Sequence, residues 1–351
     1  MKTLIIPCGG KSSRFPDMKP KYLLTYPDGK LMIEKSISGL PLNLFDRIII
    51  TIIKEHDQKY ESALILNQIF GNNIEICILD EFTKCQSETV YLTVKKMEIT
   101  DEIVVKDSDN YVEVSKISGN FVVGLNIAEQ EKDINRLKSK SFLVVNEQNI
   151  IVDIIEKEIS SNYICLGVYG FENVEDFCRS YEYLMNEKNE ESFEIYLSHT
   201  IAYMIGANKG VFRYVRCSDF EDWGTLYDWE LVRDNMRTFF IDFDGVIVKN
   251  TGKYGSRNWS EEFDVIPNNI KHIKNLYDRG AQIVITTSRE KEHTKRIYEL
   301  FRKNGIVVHE IVTNCNHSKR IIINDFAPTN PFPCCESVSI PRNGNLSDYL
   351  K

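Results

Sequence analysis

Leu4-Ile5-Ile6-Pro7-Cys8-Gly9-Gly10-Lys11-Ser12-Ser13-Arg14-Phe15-Pro16-Asp17-Met18-Lys19-Pro20-Lys21-Tyr22-Leu23-Leu24 decides how the chain is read. The apolar run at 4–6 predicts a buried strand. Pro7, Gly9 and Gly10 stop that strand and let the backbone turn tightly. Lys11, Ser12, Ser13 and Arg14 follow, then Lys19 and Lys21 beyond a second turn. A loop of exposed N–H groups flanked by cations, directly after a first strand, suits a polyphosphate.

Downstream, apolar runs alternate with helical patterns. Strands are predicted over 3–7, 47–53, 74–79 and 103–106, with helices over 31–39, 56–70 and 86–97 between them. Such alternation predicts a mostly parallel sheet with helices on both faces. Ligands of such sheets bind at the carboxyl ends of the strands. The 9–14 loop and the acidic turn Asp107-Ser108-Asp109 both follow a strand directly, so they are expected to share one cleft. From 111 to 171 the pattern turns β-rich, with strands over 120–124, 141–145, 150–155 and 163–169. Helices over 174–186 and 193–206, a strand over 212–216 and a helix running to about 235 complete this part.

At Thr238 the pattern restarts with Phe239-Phe240-Ile241-Asp242-Phe243-Asp244-Gly245-Val246. Strands over 282–286, 307–312 and 320–324 and helices over 268–279 and 290–304 predict a second, smaller α/β domain. The expected division is therefore 1–235 and 236–351.

Bulk properties narrow the function class. The 351 residues are 42% hydrophobic and 27% charged, an ordinary globular balance with room for two domains. A net charge of −8 argues against a general nucleic-acid binder, and the basic cluster at 11–21 stands out against it. No run approaches a membrane span, and no signal-peptide pattern opens the chain. Nine cysteines without a C-x-x-C pair predict reduced thiols and a cytoplasmic setting.

The pattern G-K-S-S-R-F…K-P-K-Y-L-L resembles the first loop of the sugar-phosphate nucleotidyltransferases, with Ser12 where that family has a second glycine. Four further matches follow in the family's order: Gln86-Ser87-Glu88-Thr89, the turn at Asp107 and Asp109, Glu156-Lys157, and Asp222 in Asp222-Trp223-Gly224-Thr225. The resemblance covers roughly the first 230 residues and implies a GT-A/Rossmann-like fold. It implies that Gly9, Gly10, Lys11, Ser12, Ser13 and Gln86 to Thr89 bind the nucleotide. Glu156 and Lys157 would bind the acceptor, and Asp107, Asp109 and Asp222 would hold Mg²⁺. The residue chemistry agrees. Joining a phosphate to the α-phosphorus of an NTP brings two anions together, so the site must neutralise them and hold the attack in line. Arg14 and Lys21 suit the triphosphate, whose pyrophosphate leaves with several charges. Mg²⁺ prefers oxygen ligands and bridges phosphates.

The second domain resembles the haloacid dehalogenase (HAD) phosphatases with a minimal cap. Asp242 and Asp244 match the first motif, Thr287 with Ser288 the second, Lys319 the third, and Asn324-Asp325 the acidic fourth. The resemblance implies that Asp242 attacks phosphorus, that Asp244 moves protons, and that Asp242, Asp244, Asn324 and Asp325 surround a second Mg²⁺. Without a cation, two unit charges 4 Å apart repel by about 4 kcal/mol at an effective dielectric near 20. Thr287, Ser288 and Lys319 would hold the transferring oxygens. The segment 253–259 is expected to form a flap, and Arg289 is a candidate contact for the substrate's distal part.

The expectation is a bifunctional cytoplasmic enzyme of a surface-polysaccharide precursor pathway. It takes an NTP, CTP or UTP favoured, and phosphorylated small molecules, with no nucleic-acid or membrane partner and homo-oligomerisation left open. The rivals are a GT-A glycosyltransferase fused to a phosphatase, a phosphatase with a nucleotide-binding regulatory domain, and a non-enzymatic assembly protein.

Overall fold

The computed structural model describes residues 1–129, 137–187, 194–250, 262–325 and 335–350. The chain forms two compact units, Met1–Leu226 and Tyr227–Lys351. The division falls at the head of the helix Leu226–Asn235.

The first unit is built on β1 (Lys2–Pro7), β2 (Arg47–Ile53), β3 (Glu75–Leu79), β4 (Glu102–Lys106), β5 (Asn110–Glu113), β6 (Phe121–Asn126), β7 (Ser141–Val145), β8 (Ile150–Glu156), β9 (Tyr163–Phe171), β10 (Phe212–Arg216) and β11 (Asp219–Asp222). Nine of them form one sheet in the order β3-β2-β1-β4-β9-β6-β10-β8-β7. The β3-β2-β1-β4 half is parallel, as expected of β-strands separated by helices. Beyond β4 the sheet is largely antiparallel, so it is mixed and not mostly parallel. β7 and β8 pair through a short hairpin, and β9 runs back antiparallel between β4 and β6.

Period-two burial drives both faces inward. Leu4 and Ile6 of β1 enter one hydrophobic core and Ile5 enters the other. Neighbouring strands continue the division, with Ile50 and Val104 on the first side and Ile49 and Val105 on the second. The helix read over 56–70 is two helices, Lys54–Tyr60 and Ser62–Phe70, parted by Glu61 at φ 54°. No glycine or proline marks that break in the sequence.

The feature that positions the site is small. β5 and β11 form a separate antiparallel pair in which Asn110 faces Asp222. It draws the D-W-G-T segment, over a hundred residues away in sequence, onto the end of the acidic turn.

The second unit contains β12 (Thr238–Asp242), β13 (Gln282–Thr286) and β14 (Glu310–Val312), parallel and in that order. Both helices pack on one face of this sheet, not on both as expected. Ile241, Ile283, Ile285 and Ile311 share one core with Ile270 and Ile273 of Pro267–Asp278 and with Ile297 and Phe301 of Thr294–Lys303. On the opposite face Phe240 and Val312 are 55% and 44% exposed, with Val284 buried between them. The strand expected over 320–324 is absent. Ile321, Ile322 and Ile323 are exposed on irregular chain, because β-propensity reflects packing and pairing more than a backbone preference. The flap expected over 253–259 lies outside the described residues.

Candidate active site

In the first unit, the loop after β1 closes on a threonine pair. A Cβ on Gly9 would stand 2.7 Å from both Thr83 Oγ1 and Thr89 Oγ1, so no side chain fits. Thr83 N–H donates to Gly9 O at 3.1 Å, and the two threonine hydroxyls are 2.6 Å apart. Ser12 occupies its position at φ 51°. It keeps the left-handed backbone a glycine would take, at about 1–2 kcal/mol. In return its Oγ accepts the Lys21 N–H at 3.3 Å and its carbonyl accepts the Phe15 N–H at 2.8 Å.

Each acid of the site meets a partner. Lys21 Nζ donates to Asp109 Oδ2 at 2.5 Å. Gln86 Nε2 donates to Asp107 Oδ1. Lys140 Nζ pairs with Asp222 Oδ2, while Gly224 N–H donates to Asp222 Oδ1 at 2.9 Å. Trp223 N–H donates to Asp109 O at 2.9 Å and Arg14 Nη1 to Gly224 O at 3.1 Å, so the two acidic segments and the first loop are tied together. Burial, with the Asp109 charge beside it, pushes the Asp107 carboxyl up. Burial acts on Asp109 too, but Lys21, aided by Arg14, overrides it and holds that carboxyl down. Lys106 is fully buried beneath the turn, donating to Asp107 O at 2.6 Å and Asn110 O at 2.9 Å, and burial lowers it to about 8.

Asp107 also needs space. Gly167 of β9 has φ +73°, and a Cβ there would lie 2.2 Å from Asp107 Oδ2. Gly167→Ala is expected to cost about 2–3 kcal/mol for the strained backbone and displaced carboxylate. A thermal melt would show it as a lowered Tm.

On the opposite wall Glu156 Oε2 accepts from Ser141 Oγ and from Ser198 Oγ, the latter at 2.6 Å. Lys157, at φ 57°, donates to Tyr196 Oη at 2.5 Å and lies 4.1 Å from that ring's centroid. All of these walls enclose one cleft of about 640 Å³. Gly9, Gly10, Lys11, Ser12, Ser13, Arg14, Lys21, Gln86, Thr89, Asp107, Asp109, Glu156, Lys157 and Asp222 line it together. Ser87 is buried in its helix. Glu88, in the first turn of that helix, accepts the N–H of Lys84 just before it. Lys140, Thr83, Tyr196 and Ser198 belong to the cleft without any signal in the local sequence.

In the second unit Asp242 and Thr286 face each other in the β12–β13 register, so Asp242, Asp244 and Thr287 meet at the strand ends. Thr287 Oγ1 donates to Asp244 Oδ2 at 3.3 Å. Arg289 is not open to substrate as expected. It is 3% exposed, donates to both Asp244 oxygens at 2.6–3.1 Å and lies 5.4 and 5.3 Å from the Phe243 and Phe263 centroids. Arg289→Ala would strand a partly buried carboxylate and is expected to cost about 3–5 kcal/mol, read from a urea unfolding curve. Arg289→Lys should not restore it, lacking the planar fork. Arg320, which the sequence did not single out, stands 3.3 Å from Asp242. Burial pushes the Asp242 carboxyl up, against the Arg320 charge. Ser288 is half-buried beside Thr287, whereas Lys319, Asn324 and Asp325 are exposed. Among the described residues, no three His, Cys, Asp or Glu side chains gather closely enough to hold a metal ion by themselves. No helix among them is long and apolar enough to cross a membrane.

Solved structures share the first unit's architecture. A nucleoside-diphosphate-sugar pyrophosphorylase from Vibrio cholerae RC9 is 20% identical with a TM-score of 0.54, over 65% of this chain and 98% of its own. A UDP-glucose pyrophosphorylase solved with UDP-glucose is 14% identical with a TM-score of 0.51, over 66% of this chain and 97% of its own. The matched share corresponds in length to the first unit. The chain therefore carries the fold of the sugar-phosphate nucleotidyltransferases. No family model and no curated protein matches the sequence.

Proposed function

We propose that the first unit transfers a nucleotidyl group from an NTP to the phosphate of a sugar or polyol phosphate. The observation that carries this reading is convergence: the basic loop, the acids at 107, 109 and 222, and Glu156-Lys157 line one cleft in a nucleotidyltransferase fold. An acceptor phosphate oxygen attacks the α-phosphorus, the α–β bridging P–O bond breaks, and pyrophosphate leaves. No protein nucleophile is needed. Arg14 and Lys21 neutralise the triphosphate, and Glu156, fixed by two serine hydroxyls, accepts hydrogen bonds from acceptor hydroxyls. The donor set suits Mg²⁺, which takes one or two carboxylates and completes its shell with phosphate oxygens and water. Asp107 and Asp222 would hold it, and its part when bound is to neutralise and align the reacting phosphates.

For the second unit we propose phosphate-monoester hydrolysis at Asp242, supported by its placement beside Thr287 and Arg320 at the ends of parallel strands. Asp242 attacks phosphorus, the P–O bond to the alcohol breaks with the departing oxygen taking a proton from solvent, and water then hydrolyses the aspartyl phosphate to inorganic phosphate. Asp244 is held as an acceptor by Arg289, so it is poorly placed to protonate a leaving group. Asp325 stands on exposed chain and Arg289 occupies both Asp244 oxygens, which sets this site apart from the first unit's acids as a place for a metal ion. No step is assigned to one. To avoid futile cycling, the hydrolysed phosphate must differ from the one that attacks. A surface-polysaccharide precursor carrying two phosphates fits this constraint.

The test is a screen of NTPs, CTP and UTP first, against sugar and polyol phosphates, with pyrophosphate and inorganic phosphate followed separately. Pyrophosphate release that requires both substrates supports transfer. A nucleotide sugar consumed without pyrophosphate would identify a glycosyltransferase instead.

A further inference from the structure

We propose that Lys140 is the cation that meets the acceptor's phosphate, held on Asp222 until a divalent cation claims that carboxylate. The proposal rests on the nucleotidyl-transfer reading of the same cleft. Lys140 enters the site from the start of β7, and its side chain is 16% exposed. Its carbonyl accepts the Lys157 N–H at 3.1 Å, which places it beside the Glu156-Lys157 wall. The two lysines then diverge. Lys157 turns to the Tyr196 hydroxyl and ring. Lys140 turns inward, past the Phe220 ring at 5.6 Å, to Asp222.

The two partners of that pair differ in freedom. Asp222 is pinned, because its second oxygen accepts the Gly224 N–H. Lys140 carries a compact ammonium on a flexible four-carbon stem. A divalent ion attracts the carboxylate more strongly than the ammonium does, so its arrival frees Lys140 and not Asp222. The released charge stands between the metal-binding acids and the acceptor wall, where a phosphate must lie to attack. Arg14 and Lys21 sit on the other side, at Gly224 and Asp109. The arrangement gives one cationic group to each of the two anions the reaction joins. It also couples two binding events, since metal ion and Lys140 compete for one carboxylate.

The test uses the full chain and reads binding without turnover. Mn²⁺ binding is titrated by electron paramagnetic resonance in wild type, Lys140→Met, Lys140→Arg and Asp222→Asn. Inorganic phosphate, as the probe of the acceptor subsite, is titrated with Mn²⁺ present and followed by ³¹P line broadening. Lys140→Met is expected to bind Mn²⁺ about threefold to tenfold more tightly, the range a partly exposed ion pair can hold back, and phosphate about tenfold more weakly. Lys140→Arg should recover phosphate binding, and Asp222→Asn should weaken Mn²⁺ binding. Unchanged or weaker Mn²⁺ binding in Lys140→Met, or unchanged phosphate binding, overturns the proposal. A loss of structure in Lys140→Met would show as a lowered Tm, and Lys140→Arg then decides. If wild type releases no pyrophosphate with any substrate pair, the transfer reading fails, while the Mn²⁺ and phosphate titrations still judge Lys140.

Discussion

Lys21→Ala is expected to slow pyrophosphate release by about 10²–10³-fold, the loss typical of removing one fixed charge from a developing anion. The structure gives the substitution two consequences. It removes a cation aimed into the cleft, and it leaves Asp109 without the partner 2.5 Å away. The second effect alone would perturb the acidic turn, so Asp109→Asn in the Lys21→Ala background separates them. If the double variant stays as slow as the single, the lost charge on the triphosphate is responsible. If it recovers, repulsion from an uncompensated Asp109 was the cause. Phosphate release at the second unit should be unchanged in both. Full pyrophosphate release by Lys21→Ala would remove the basic loop from the reaction.

Asp242→Asn gives the complementary result. Phosphate release should fall by about 10³-fold or more, as when a nucleophile is removed from a covalent mechanism, with pyrophosphate release intact. The amide keeps the shape of the side chain but cannot form an acyl phosphate. It also frees Arg320, so Arg320→Ala is the control for altered charge. Persistent phosphate release in Asp242→Asn would overturn hydrolysis at this site. Because Arg289 holds both Asp244 oxygens, esters with good leaving groups should be hydrolysed much faster than alkyl phosphates. A comparison of aryl and alkyl phosphate rates checks this.

Several features were legible in the sequence for clear reasons. The run 47–53 matches its strand because burial on both faces imposes a continuous apolar code. The loop at 9–14 was legible because glycines and cations cluster there against an acidic background. Ser12 was readable as an anomaly, and it adopts the glycine-like backbone. Other residues carried no signal. Lys140 is one lysine of many, and only the β7–β8 hairpin and the β5–β11 pair bring it to Asp222. Arg289 looked like a ligand contact because its position after Thr287 was visible, whereas its two aromatic neighbours were not. The isoleucines at 321–323 show the reverse failure, strong local propensity without a strand.

By itself, the sequence determined the two α/β units, the first strand and its phosphate-suited loop, and the residue types available for phosphate chemistry. These follow from local properties: hydrophobic periodicity, turn residues and charge. The tertiary structure decided that the first sheet is mixed, that Asp109 and Asp222 meet, and which lysine faces which acid. It also decided that Gly167 makes room for Asp107 and that Arg289 is a brace for Asp244. Those outcomes depend on strand pairing and packing between residues far apart in the chain, and no local window of sequence encodes them.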